Sequence, residues 1–117
     1  MSEQEAEMQT QRDLEESYGE AAKKANRDLQ SFLTQLYEAY LGENEIVAAL
    51  RDASSAFDTY RASQIDLISA STDGSVAGAL RNASYEQITM QRLEVLRAFV
   101  RDTRPDLAIA GSDSPSA

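Results

Sequence analysis

The chain has 117 residues, which suits one domain with a single modest core, and at 42% hydrophobic it is too apolar to be wholly disordered. Its formal charge of −9 repels phosphate backbones and anionic lipid. Nucleic acid and membrane surfaces are therefore disfavoured as partners and a basic protein is favoured, although the same acidity also serves plain solubility. Cysteine is absent, which excludes disulfides and thiolate metal sites, and no apolar run approaches the roughly 18 residues of a membrane span.

Both prolines, Pro105 and Pro115, lie near the C-terminus, so nothing before them obliges a helix to break. Residues 1–10 are polar and acidic and read as a flexible lead. From Leu14 onward, Tyr18, Ala21, Ala22, Ala25, Leu29, Phe32, Leu33, Leu36, Tyr37 and Tyr40 recur at spacings of three and four, which predicts a long first helix over 11–41. Glu20 and Lys24 have the spacing of an i,i+4 ion pair on its outer face. Gly42 suits the left-handed position that closes a helix.

Asn44 is a candidate N-cap for a second helix over 45–70. Its apolar stripe runs through Ile46, Val47, Leu50, Ala53, Phe57, Tyr60, Gln64, Leu67 and Ile68. The run Ser71-Thr72-Asp73-Gly74-Ser75 has turn chemistry, and Ser75 can cap a third helix over 76–102. That helix carries Val76, Leu80, Ala83, Ile88, Arg92, Leu96 and Phe99, broadened late by Leu93, Val95 and Val100. Arg97 and Arg101 complement its dipole, and Arg104-Pro105 stops it. The expected organisation is a flexible lead (1–10), a helical domain (11–103) and a disordered tail (104–117). The fold class is all-α, a three-helix antiparallel bundle with one long first helix.

The catalytic repertoire is thin. Without histidine or cysteine, no Ser-His-Asp or Cys-His device can be assembled. Zinc would need a site made only of carboxylates, and the Asp73-Gly74-Ser75 turn lacks the alternating ligands of a calcium loop. Adjacent Glu15 and Glu16 point about 100° apart on a helix and do not converge. No catalytic, cofactor-binding or metal-binding residue is assigned, and no cofactor is expected. Tyr18, Tyr37, Tyr40, Tyr60 and Tyr85 lie mostly on apolar stripes and read as core or rim. Arg61 and Arg92 sit beside or within apolar stripes, where an arginine usually braces the interior through hydrogen bonds.

Three stretches carry a family resemblance. The first is Gln11-Arg12-Asp13-Leu14-Glu15-Glu16-Ser17 followed by Ala25-Asn26-Arg27-Asp28-Leu29-Gln30. The second is Ala56-Phe57-Asp58-Thr59-Tyr60-Arg61. The third begins at the Asp73-Gly74-Ser75 turn and continues through Ser84-Tyr85 to Thr89-Met90-Gln91-Arg92 and Leu96. In order and spacing they resemble the lysozyme inhibitor LprI-like family of small bacterial helical proteins. That family has Ala-Trp-x-x-Tyr/Phe-Arg where this chain has Phe57 for the tryptophan, and Thr-x-x-Arg at Thr89 and Arg92. Its cysteines fall at Ser17, Ile65 and Ser84 here, so all three are replaced.

The resemblance implies a non-catalytic protein-binding domain whose partner is a basic lysozyme or another cell-wall hydrolase. Asn26, Arg61, Thr89 and Arg92, retained or replaced by similar polar groups, are the expected structural polar network. It implies a periplasmic or extracellular location if a leader has been removed; a chain without one, and without cysteine, would be cytoplasmic. The alternative reading is a helical assembly or immunity-type interaction protein with no hydrolase target. Its expected association surface, which would also allow self-association, is Leu93, Leu96, Phe99 and Val100.

Overall fold

The computed structural model describes residues 3–74 and 76–107, with side chains from residue 19 onward. Three helices follow in order, α1 (Glu3–Ala39), α2 (Asn44–Ser71) and α3 (Val76–Thr103). Short turns make sequential neighbours antiparallel, so α1 and α3 run parallel with α2 reversed against them. At 1.5 Å per residue the 37 residues of α1 span about 55 Å. That length accounts for the longest dimension of a 60 × 31 × 19 Å molecule. α1 starts ahead of the expected position 11. Gly19 lies opposite Asn82, so the first turns of α1 project beyond the start of α3.

The helix ends follow local chemistry. After Ala39 the chain closes with Leu41 N–H to Glu38 O and Glu43 N–H to Tyr40 O, and Gly42 takes φ +94°, a left-handed value that favours glycine. The expected cap at Asn44 is corrected: Glu43 holds the N-cap position without a side-chain hydrogen bond, and Asn44 is already helical. α2 ends on extended Thr72, and Gly74 supplies a second positive φ of +82° before α3. Ser75, the expected cap of α3, lies outside the described residues. The expected Glu20–Lys24 pair is replaced by Lys24–Asp28 at 2.9 Å and Lys23–Glu20 at 3.6 Å.

The core is one cluster with members on every helix. α1 gives Leu29, Phe32, Leu33 and Leu36, the turn after it gives Tyr40, α2 gives Leu50, and α3 gives Leu93, Leu96 and Val100. α3 is central, packing on α1 along one flank and on α2 along the other, while α2 meets α1 only sparsely. The expected α3 stripe is corrected accordingly. Ala77, Thr89, Leu93, Leu96 and Val100 are buried, whereas Val76, Leu80 and Val95 are exposed. On α2, Tyr60 and Leu67 are likewise exposed rather than core.

Of the tail expected from 104, residues 104–107 are described. Arg104 N–H donates to Val100 O, Leu107 N–H donates to Arg104 O, and Leu107 packs against the core. Arg104 Nε donates to Asp106 at 3.1 Å, and its guanidinium lies 5.6 Å from the Tyr40 ring centre. Residues 108–117 lie outside the described residues.

Candidate functional site

One part-buried polar knot joins all three helices, and it is built on α2. Arg61 is four residues after Phe57 and three after Asp58, so all three share one face of the helix. On α3, Tyr85 and Thr89 have the same four-residue spacing. The Arg61 side chain is only 11% exposed. Its Nη1 donates to Asn26 Oδ1 on α1 at 3.2 Å and to Thr89 Oγ1 on α3 at 2.9 Å. Thr89 is fully buried. Arg61 Nη2 stands 3.6 Å from Asp58 Oδ1.

Aromatic faces complete the surroundings of the guanidinium. Its carbon is 4.2 Å from the Tyr85 ring centre and 5.0 Å from that of Phe57. A buried cation is tolerable only when its donors are used and its charge is balanced. Here two acceptors, one carboxylate and two ring faces meet that need.

Arg92 joins this knot by a different route. Its guanidinium carbon lies 5.7 Å from the Phe57 ring centre, so Phe57 stands against two cations. Burial lowers the Arg92 pKa from its ordinary value, partly opposed by Tyr37. Three of the four residues expected as a polar network, Asn26, Arg61 and Thr89, are thus joined by hydrogen bonds, and Arg92 is joined through an aromatic ring. Phe57 and Tyr85 as ring partners escaped the sequence reading. The four-residue spacings Phe57–Arg61 and Tyr85–Thr89 were the available signal.

The expected association surface is corrected. Leu93, Leu96 and Val100 are buried in the bundle's own core, and of that set only Phe99 reaches solvent, at 37% exposure. The exposed apolar surface lies one flank further round. A groove of about 450 Å³ runs between Ile46, Ala49 and Ala53 of α2 and Val95, Leu96 and Phe99 of α3. Glu45 stands at one end and Arg92 at the other. A smaller cavity of about 110 Å³ lies where α1 meets α2, beside Leu33, Tyr37, Ser54 and Phe57. Ser54 Oγ is buried without a hydrogen-bond partner among the described residues.

Among the described residues no three carboxylates gather to hold a metal ion, and no helix is long and apolar enough to cross a membrane. The arrangement offers a rigid bundle, an internal cationic brace and an apolar groove. The sequence model of the lysozyme inhibitor LprI family matches residues 2–96, through α1 and α2 and into α3 as far as Leu96. The chain belongs to the LprI family of lysozyme inhibitors. No curated protein and no solved structure matches it. The LprI match covers every residue of the Arg61 knot, which makes the knot part of the LprI domain rather than an appendage to it. It stops at Leu96, so Val100 and Leu107 lie beyond the matched region while still completing the core.

Proposed function

We propose that this protein is a non-catalytic inhibitor that binds a basic, lysozyme-type cell-wall hydrolase. The observation that carries this reading is the LprI match over residues 2–96. Two physical features support it. The chain carries −9, and lysozymes are commonly basic, so long-range attraction would speed their encounter. The chain also has no histidine or cysteine with which to run the usual acyl- or nucleophile-based chemistry.

The test is a wall-lysis assay in which the protein is titrated against lysozymes of several types, with binding followed in parallel by calorimetry. The expected outcome is a saturable loss of lysis with at least one type, weakening as salt is raised because screening shortens the attraction. Absence of both binding and inhibition at micromolar concentration against every type overturns the proposal.

A further inference from the structure

The α2/α3 groove has a chemistry of its own, distinct from the Arg61 knot. Its floor is the outer edge of the core, at Leu50 and Leu96. Its α2 wall begins at Ile46 and continues through the small Ala49 and Ala53, and its α3 wall is bulky and solvent-facing, with Val95 at 58% and Phe99 at 37% exposure. Small residues on one wall let an incoming backbone come close, and an exposed valine and phenylalanine offer anchors.

Charge selects the occupant. Glu45 and Asp52 lie on the same edge of α2 as Ala49, at spacings of four and three, and both are exposed. Among the described residues neither is paired with a cation, although seven ion pairs form elsewhere. Arg92, the groove's one cation, is turned inward onto Phe57. The groove is therefore apolar inside and acidic along its α2 rim. A second copy of a −9 chain would bring like charge to this rim, whereas a cationic segment would meet two uncommitted carboxylates.

We propose that the α2/α3 groove is the docking site for a cationic amphipathic segment of the protein partner. Its apolar side chains seat between Ala53 and Val95, and its basic residues face Glu45 and Asp52. From Glu45 to Ala53 the groove spans about 12 Å of helix axis, room for roughly two turns of a partner helix. This deepens the inhibitor reading and rests on it only for who the partner is.

The test uses the full chain with isotope-labelled amides and two helical peptides. Both carry leucines at i, i+3, i+4 and i+7; one has lysines elsewhere and the other glutamates. The expected result is amide shifts confined to 45–53 and 91–99 with the lysine peptide and none with the glutamate peptide. V95R, at an exposed position, should weaken the lysine peptide about tenfold or more, and E45Q/D52N should weaken it while flattening its salt dependence. Shifts elsewhere, equal binding of the two peptides, or wild-type affinity in V95R overturns the inference. V95R is then run in the wall-lysis assay. Undiminished inhibition by V95R removes the groove as the partner face and leaves the inhibitor reading standing. A peptide that seats as expected, on a protein that inhibits no lysozyme, keeps the groove and removes that reading.

Discussion

Arg61→Met is the substitution that tests the architecture most directly. Methionine keeps the length and apolar volume of the stem but removes every donor and the charge. Two hydrogen bonds disappear, to Asn26 Oδ1 at 3.2 Å and to Thr89 Oγ1 at 2.9 Å. Bonds from a charged donor contribute about 1.5–3 kcal/mol each. The contact with Asp58 adds little, because that carboxylate is 64% exposed. Thr89, fully buried, is left with an acceptor that water does not reach.

Taking the low end for each bond, the expected loss is about 3 kcal/mol. An unfolding entropy of about 2.1 cal/mol/K per residue gives ~0.25 kcal/mol/K for a chain of 117 residues. The melting temperature should therefore fall by about 12 °C, read by thermal and urea unfolding in far-UV circular dichroism. Arg61→Lys should recover only part of it, because the ammonium can donate to both acceptors but lacks the planar face that lies on the Phe57 and Tyr85 rings and the second nitrogen that stands toward Asp58. In a double-mutant cycle, R61M and T89V should couple by about 1 kcal/mol or more. A loss under about 1 kcal/mol for R61M, or strict additivity with T89V, would refute the claim that this residue ties the helices.

Leu36→Ala empties a fully buried position at the meeting of all three helices and should cost about 3 kcal/mol, measured by urea unfolding. Ser54→Ala removes a buried hydroxyl with no partner and should be neutral or stabilising by up to about 1 kcal/mol; a clear loss would mean that the hydroxyl is bonded in solution. The Arg104 hydrogen bond holds the Asp106 carboxyl below the ordinary carboxylate range. Its folded-state pKa is therefore depressed, so the stabilisation is full above the unfolded value of about 4 and disappears as pH falls through the folded value. Asp106→Asn should accordingly be less stable than the wild type at neutral pH, with the gap closing on acidification; a gap independent of pH from neutrality to strong acid contradicts that assignment.

The legibility of the sequence varied with the number of neighbours each helix has. α1 presents one face to one interface, so the spacing from Ala22 to Tyr40 marked the residues that are buried. On α3 four of the five buried residues, Thr89, Leu93, Leu96 and Val100, keep one stripe at spacings of four, three and four, but apolar residues also stand on its exposed faces, at Val76, Leu80, Met90 and Val95. An apolar pattern alone does not separate the two sets, so Val76 and Leu80 read as stripe residues, Ala77 does not, and the buried Thr89 is legible only as a polar group of the family motif. Tyr60 and Leu67 sit on the apolar stripe of α2 but stay exposed, because α2 has α3 beneath it and little of α1 beside it. Periodicity reports that a face is apolar and not what covers it. Within the knot, Arg61 and Arg92 are legible as arginines beside or within apolar stripes, whereas Asn26 and Thr89 enter only through the family resemblance. That Arg92 would work through Phe57, rather than through a hydrogen bond, depends on how two helices cross, and no one-dimensional pattern carries that.

The loss of the family's cysteines bears on how α2 is held. The three corresponding positions, Ser17, Ile65 and Ser84, supply no covalent link. α2 meets α1 sparsely, and its one fully committed apolar residue is Leu50, near its first turns. Further along, the strongest tie is Arg61, which reaches α1 and α3 with the same nitrogen. Leu50 and Arg61 are three turns apart and together fix both the position and the tilt of α2 on α3. The groove between Ala53 and Val95 lies along this same helix pair, so its width depends on that tilt. A consequence follows that separates bracing from contact. Arg61 is not among the groove's lining residues, yet R61M should weaken seating of the lysine peptide as well as stability, whereas L36A, which removes a residue of α1, should lower stability more than seating. Equal seating by R61M and wild type, at a temperature where both are folded, would show that the knot sets stability alone and that the groove is held by Leu50 and its neighbours.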